Sequence, residues 1–238
     1  MLSNRTFLLR QALLLTLSLV GLLYVFPVGG SLDQTFIQPW VDLHGGFPHR
    51  NDWALALLNH RYIKNIVIGV YVLYIALWIC SFKYPHLKAR KFEFGYFIVV
   101  ALLSTAIIGL LKSQSAHACP WNMTVATAHG FSWDFSARQG HCFPGGHAAT
   151  GFALITGYFV YRIHRPARAY FFLSAGLILG FAFGWAQMMR GAHFLSHNLW
   201  TAWIIWAFNC VMYVLFSRHF TASTTSTTQQ KSKAFTWI

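Results

Sequence analysis

Residues 96–111 read YFIVVALLSTAIIGLL, a run with no charged side chain that ends at Lys112. A helix that crosses the hydrocarbon core of a bilayer needs about 20 predominantly apolar residues, and this run approaches that length. The whole chain is similar, since 56% of its 238 residues are hydrophobic and only 10% are charged, less than half the usual charged share of soluble domains. We therefore predict an all-α, polytopic membrane protein with six transmembrane helices, at about residues 8–28, 64–82, 96–111, 144–161, 169–189 and 197–217.

The basic residues are unevenly distributed between the two sides of this arrangement. A net charge of +13 is a feature of nucleic-acid-binding proteins, but here most Lys and Arg fall into alternate segments between the predicted helices. Cytoplasmic segments carry such an excess, so both termini are predicted to be cytoplasmic and no nucleic-acid partner is expected. The loops at about 29–63, 112–143 and 190–196 then face outward. Twelve of the eighteen basic residues lie on the cytoplasmic side, namely Arg5, Arg10, Lys83, Lys88, Arg90, Lys91, Arg162, Arg165, Arg168, Arg218, Lys231 and Lys233.

The chain is predicted to form one membrane domain, residues 1–218, followed by a disordered polar cytoplasmic tail, residues 219–238. The first apolar run resembles a signal peptide, but it is long and lacks a convincing small-residue cleavage site, so we predict an uncleaved helix. In the first outer loop, WALALLNHRYIKNI (53–66) has apolar positions at helical spacing. We expect this segment to lie at the membrane surface.

Two of the four cysteines, Cys119 and Cys142, fall in the same outer loop. An oxidising compartment would let them form a disulfide, which is worth about 3 kcal/mol for a loop of this length in the chain-entropy model. A zinc site is the alternative, but neither cysteine belongs to a Cys-x-x-Cys unit. Cys80 and Cys210 lie within predicted helices and are expected to act as small apolar side chains.

Three polar clusters stand at the outer ends of predicted helices 3, 4 and 6. They are LLKSQSAHACPW around Lys112, PGGH at 144–147, and RGAHFLSHN at 190–198. Taken alone, Lys112 and Arg190 are also consistent with snorkelling to the interface, and His147 with simple packing. Together they predict one pocket for an anion, because cations and the amides of a glycine-rich helix start at Gly145 and Gly146 would face the same space.

Two histidines at an anion site permit a division of labour. One attacks phosphorus and carries the phosphoryl group, while the other protonates the leaving oxygen. This scheme needs no metal and no cofactor. The pair His193 and His197, four residues apart, is also consistent with a metal or haem site, but no Glu-x-x-His signature accompanies it.

Over about residues 96–217 the chain resembles the membrane type 2 phosphatidic acid phosphatase superfamily, whose helical core is shared with vanadium haloperoxidases. Lys112 and Pro120 stand at the spacing of the family's first motif, with Cys119 in the place of its arginine. The segment 144–147 reads Pro-Gly-Gly-His where the family has Pro-Ser-Gly-His. In the third motif, His193 fits the nucleophile, while Gln187 and His197 occupy the places of the family's arginine and aspartate.

The resemblance implies roles for these residues. His193 would be the nucleophile, His147 the general acid, and Lys112, Gly145 and Gly146 ligands of the phosphate. Arg190 and Arg138 are candidates to replace the missing arginines. Because the aspartate that would orient His193 is absent, His197, Asn198 or Asp134 is expected to take that part.

We therefore predict a lipid phosphatase at the outer face of a bacterial cytoplasmic membrane. It would act by hydrolysis or phosphotransfer on a lipid phosphate or pyrophosphate that enters laterally from the bilayer. Phosphatidic acid, phosphatidylglycerol phosphate, undecaprenyl pyrophosphate and lipid A phosphates all fit. The alternative is a non-catalytic binder or transporter of anionic headgroups. Charged groups at one end of the helices, and not at depth, favour the enzyme.

Overall fold

A computed structural model describes residues 4–55, 64–138 and 140–235 of the chain, without the side chains of Lys64 and of residues 221–235. The fold is mostly helical, as predicted. The helices are α1 (Asn4–Tyr24), α2 (Ser31–Ile37), α3 (Lys64–Lys83), α4 (Pro85–Lys88), α5 (Lys91–Gln114), α6 (Gly146–Phe152), α7 (Thr156–Tyr161), α8 (Pro166–Met189) and α9 (Leu195–Phe235).

The connections contain short regular elements that the prediction of an all-α fold omits. Strands β1 (Thr124–Thr127) and β2 (Gly130–Trp133) form an antiparallel hairpin in the loop between α5 and α6. Four-residue strands are too short to produce a clear alternation in the sequence, which is why the hairpin was not predicted. Single 3-10 turns lie at Gln38–Trp40, Pro48–Asn51, Pro120–Asn122 and Ala153–Ile155.

Five helices of the described chain are long and apolar enough to cross a membrane, judged by length and composition. They are Asn4–Tyr24, Asn65–Lys83, Lys91–Gln114, Pro166–Met189 and Leu195–Phe220. Each coincides with one of the six predicted spans. The chain is therefore a candidate multi-pass membrane protein, as its composition predicts.

The remaining predicted span, residues 144–161, is a broken helical segment. It consists of α6, the 3-10 turn Ala153–Ile155 and α7. Neither helix is long enough to be counted as a membrane-spanning helix with the other five. Its side chains are almost all buried, and it packs along α8 at close range, because a Cβ at Gly151 would overlap the backbone at Gly180. Small residues at a crossing let two helices approach in this way. The count of six spans stays a prediction.

At the end of the bundle opposite Gln114, charged side chains tie three helices to the segment between α7 and α8. Arg162 donates hydrogen bonds to Asn4 Oδ1 (2.9 Å) and to the Tyr213 hydroxyl (2.6 Å), and its guanidinium lies 3.4 Å from the centroid of the Phe7 ring. Arg165 pairs with Glu93 at 2.7 Å. These contacts join α1, α5 and α9 to the segment between α7 and α8.

The loops at the end of the bundle near Gln114 form a small hydrophobic cluster of their own. We call it the outer cap, and it consists of Ile37, Phe47, Ala118, Met123 and Phe194. All five side chains are buried. The outer cap brings together the loop before α3, the loop after α5 and the turn before α9.

Two predicted segments remain to be placed. The surface segment 53–66 lies mostly outside the described residues. The backbone of α9 runs to Phe235, so its helical form extends past the predicted boundary at residue 218, whereas its part that is apolar enough for a membrane ends at Phe220. The division into a domain and a disordered tail stays a prediction.

Candidate active site

The three polar clusters of the sequence meet near the outer cap. The Nζ atom of Lys112 lies 3.8 Å from the point that a Cβ on Gly146 would occupy. The ring centroids of His147 and His193 are 6.2 Å apart, and those of His193 and His197 are 5.6 Å apart. The end of α5, the start of α6 and the start of α9 therefore place one lysine and three histidines around a common space.

His193 is held by a backbone carbonyl. Its Nδ1 atom lies 2.8 Å from Cys142 O, and only 1% of the residue is exposed. A carbonyl can only accept, so the proton is on Nδ1 and the lone pair is on Nε2. Burial, and then the charge of Lys112 and the neighbouring His147, lower the pKa of His193 well below its ordinary value of 6.5. The ring is thus neutral near pH 7, with Nε2 able to act as a nucleophile.

His197 is fully buried beside His193. The two Nδ1 atoms are 3.4 Å apart, a longer contact than the one between His193 and Cys142 O. The His197 ring also packs against Phe143 and His117, with centroids 5.5 and 5.0 Å away. His197 therefore adjoins the proposed nucleophile, but the closer polar partner of His193 is the carbonyl.

The start of α6 is fastened to the first turns of α9. The Gly145 amide donates to His197 O (3.1 Å), and the Thr201 hydroxyl lies within hydrogen-bonding distance of both Gly145 O and His197 O. Gly145 was predicted to offer its amide to a phosphate, but in this structure that amide is used within the protein. The amides that open α6 begin at Gly146, which lies beside the Lys112 side chain.

The described contacts do not bring the two predicted arginines to the histidines. Arg190 Nε donates to Arg50 O (2.9 Å), and one of its terminal nitrogens lies 3.4 Å from Gln187 Oε1. Burial, and then the charge of Arg50, lower the pKa of Arg190. Arg138 is exposed on the loop between β2 and α6. Arg190 follows the end of α8 and points toward the Pro48–Asn51 turn, a direction that sequence spacing could not indicate.

Two other candidates for orienting His193 have different partners. Asp134 accepts hydrogen bonds from the backbone and side chain of Ser136, and the Asn198 amide donates to Phe194 O (3.3 Å). A backbone carbonyl as the partner of His193 could not be predicted, because residue type carries no information about main-chain groups.

Asp33 and His117 belong to the surroundings of the site, although the sequence analysis did not select them. Asp33 accepts hydrogen bonds from the Ser196 amide (2.8 Å), the Ser196 hydroxyl and the Gly29 amide (2.9 Å), so it fastens α2 to the start of α9. Burial raises its pKa despite these bonds. His117 contacts His197 and lies within the quoted segment LLKSQSAHACPW, so its proximity to Lys112 in sequence was the available signal.

Cys119 and Cys142 are joined by a disulfide, with Cα atoms 5.1 Å apart. The Cys142 amide also donates to His117 O (2.9 Å), so two links attach Cys142 to the segment after α5. Among the described residues, no group of three or more His, Cys, Asp or Glu side chains is arranged to hold a metal ion.

Comparison with known proteins identifies the family. Residues 93–221, more than half of the chain, match the sequence model of the PAP2 superfamily. The chain belongs to this superfamily, whose members are phosphatases. The matched range runs from α5 into α9 and so contains Lys112, His147, His193 and His197. No significant match was found among curated proteins or solved structures.

Proposed function

We propose that the protein is a membrane lipid phosphatase that works through a phosphohistidine at His193. The observation that carries this proposal is the contact of the buried His193 with Cys142 O, which lies 2.8 Å from Nδ1 and, because a carbonyl only accepts, places the ring proton on that atom. A histidine in this state has its lone pair on Nε2, the atom that must attack phosphorus. His147 and Lys112 lie at the same space, so a general acid and a cation are available there.

The proposed reaction has two steps. In the first, Nε2 of His193 bonds to phosphorus, the bond from phosphorus to the ester oxygen breaks, and protonated His147 gives its proton to that oxygen. In the second, His147 removes a proton from water, the water oxygen attacks phosphorus, and the phosphorus–nitrogen bond breaks to release inorganic phosphate. Attack by an alcohol in place of water gives phosphotransfer.

Charge on the phosphoryl oxygens is neutralised by Lys112 and by the amides that open α6 from Gly146 onward. Arg190 reaches the phosphate only if its guanidinium leaves Arg50 O and Gln187. Arg138 would have to approach from the exposed loop. We therefore assign the main electrostatic role to Lys112.

An apolar groove supports a lipid as the substrate. It has a volume of about 500 Å³ and lies between α1, α8 and α9. Trp203 and Trp206 line it, and their ring N–H groups donate to Leu15 O and Gln11 Oε1 on α1, so they present no unpaired polar group to the groove. An alkyl chain suits such a surface because its burial costs no hydrogen bond.

Aromatic rings connect the groove to the histidines. Trp203 lies 5.8 Å from Trp200, Trp200 lies 6.2 Å from Phe143, and Phe143 lies 5.5 Å from His197, measured between ring centroids. A lipid with its tail in the groove would thus have its phosphate near the site. This arrangement supports lateral entry of phosphatidic acid, phosphatidylglycerol phosphate, a prenyl pyrophosphate or a lipid A phosphate.

The test is phosphate release by the purified protein from a panel of these lipids in the presence of EDTA. The wild type should release phosphate and His193→Ala should not. His129→Ala, at an exposed histidine in the hairpin turn, is the matched control and should remain active. Acid-labile phosphate bound to the wild type, but not to His193→Ala, would identify the intermediate. If no lipid in the panel gives His193-dependent phosphate release, with or without divalent metals, the enzyme hypothesis fails. The alternative, a non-catalytic binder or transporter of anionic headgroups, then takes its place.

We further propose six spans, with the site facing outward from a bacterial cytoplasmic membrane. The twelve-to-six division of basic residues supports this orientation. In a Cys80→Ala/Cys210→Ala background, a cysteine at His129 in the hairpin should react with a membrane-impermeant maleimide in intact cells. A cysteine at His86, in α4, should react only after the cells are permeabilised. The reverse result would contradict the orientation.

A further inference from the structure

We infer that the Cys142 carbonyl is the positioning group for His193, and that the Cys119–Cys142 disulfide holds this carbonyl in place. The inference rests on the proposed function, in which His193 is the nucleophile. It makes the disulfide necessary for the full catalytic rate and assigns the orienting role to a backbone atom. Of the three side chains predicted to orient His193, only His197 contacts it, at the longer distance of 3.4 Å.

The contacts of His193 support the carbonyl over its neighbours. Cys142 O lies 2.8 Å from Nδ1, whereas Nδ1 of His197 lies 3.4 Å away. The carbonyl is also the less ambiguous partner, because it accepts in every protonation state while a second imidazole can either donate or accept. It therefore specifies one tautomer of His193, the one with a lone pair on Nε2.

The position of Cys142 is determined by a closed set of links around His193. The disulfide joins Cys142 to Cys119, and two residues after Cys119 the amide of Trp121 donates to Gly191 O (3.0 Å), just before His193. The set is closed by the hydrogen bond between His193 Nδ1 and Cys142 O. The segment that carries the nucleophile and the segment that carries its carbonyl are thus attached to the same short stretch after α5.

Reducing the disulfide breaks the only covalent bond among these links. The Cys142 amide keeps its hydrogen bond to His117 O, so the loop is not released completely. Without the covalent link the carbonyl is free to move by fractions of an ångström, and the His193 ring loses its fixed tautomer and direction. Misplacement of a reacting group on this scale lowers rates by about 10- to 100-fold.

The experiment compares the oxidised and reduced forms of the same folded protein. Dithiothreitol, a dithiol, supplies two electrons and two protons, which convert the disulfide into two thiols while the reagent closes to a cyclic disulfide. A Cys80→Ala/Cys210→Ala variant keeps only the two cysteines of the bridge. On a dialkyl lipid phosphate, its kcat should fall about 10- to 100-fold on reduction, KM should change less than about twofold, and reoxidation should restore kcat.

A Cys119→Ala/Cys142→Ala variant is the matched comparison. It should have the low kcat of the reduced protein and should not respond to dithiothreitol. Thermal unfolding of the reduced protein, measured separately, should show that it remains folded at the assay temperature. Reducing an already folded protein also avoids any failure of the variant to fold.

The pH profile distinguishes positioning from general loosening. A carbonyl that accepts from Nδ1–H stabilises the protonated ring and raises its pKa, so losing the carbonyl should move the acid limb of kcat/KM to lower pH. An unchanged kcat with the bridge shown to be open would overturn the inference, and so would a lower kcat with an unmoved acid limb. In both cases the oxidised protein would retain His193-dependent activity. If the oxidised protein has no His193-dependent activity, the proposed function itself is wrong.

Discussion

The rings of His147, at the start of α6, and His193, in the turn before α9, have centroids 6.2 Å apart and planes inclined at 56°. A tetrahedral phosphoryl group between them would have one ring on the side of attack and the other near the leaving oxygen. The two positions therefore predict unequal effects of substitution.

His193→Ala should abolish turnover with every substrate, because no nucleophile remains. His147→Ala should lower kcat by about 100- to 10,000-fold with an alkyl phosphate, whose leaving oxygen needs a proton, and much less with p-nitrophenyl phosphate. The measurement is kcat for both substrates with both variants. Equal losses for the two leaving groups would mean that His147 is not the general acid.

We expect Lys112 to influence both the rate and its pH dependence. Lys112→Gln should lower kcat/KM by about 100-fold, as loss of one charge-stabilising donor does. The positive charge of Lys112 also lowers the pKa of His193, so removing the charge should raise this pKa. Protonated His193 cannot attack, hence the acid limb of kcat/KM should lie below pH 6.5 in the wild type and move to higher pH in the variant. If the acid limb of kcat/KM does not move in Lys112→Gln, the charge of Lys112 does not act on the pKa of His193.

Asp33 should matter for the stability of the site, because it fastens α2 to the start of α9. An amide cannot accept all the hydrogen bonds that Ser196 and Gly29 donate to the Asp33 carboxylate. Asp33→Asn should therefore destabilise the protein by about 1.5–3 kcal/mol, the usual worth of a hydrogen bond to a charged group. Thermal unfolding in detergent is the measurement. Asp42→Asn is the control, because its exposed side chain accepts from the local amides of His44 and Gly46 at one oxygen, Oδ1, and this variant should unfold close to the wild-type temperature.

The groove between α1, α8 and α9 predicts a dependence on the lipid tail. Ala202 lines it, so Ala202→Phe should fill part of it and raise KM for long-chain lipid phosphates, with little effect on p-nitrophenyl phosphate. Ile178→Phe introduces the same ring on the exposed face of α8 and should change neither value. Equal KM values for long-chain lipids in the two variants would show that the tail binds elsewhere.

The sequence by itself determined the class of the protein and was sufficient to propose its reactive residues. Apolar runs such as 96–111 predict helices through composition alone, because a bilayer excludes backbone that is not hydrogen-bonded within its own segment. The order of Lys112, His147 and His193 along the chain was sufficient for the family, which the match over 93–221 confirms. These features are local, so they can be read without knowing what lies nearby.

Tertiary structure decided what surrounds those residues. Cys142 O reaches His193 across 51 positions of sequence, and Asp33 reaches Ser196 across 163. Arg190 turns toward Arg50, and the close crossing of Gly151 and Gly180 belongs to a segment that breaks at a 3-10 turn. Such contacts depend on how the loops pack over the end of the bundle. A carbonyl partner is also invisible in the sequence, because every residue carries the same main-chain carbonyl. Residue type and spacing therefore suffice to propose His193 as the nucleophile, while only the packed chain places Cys142 O against its Nδ1 atom.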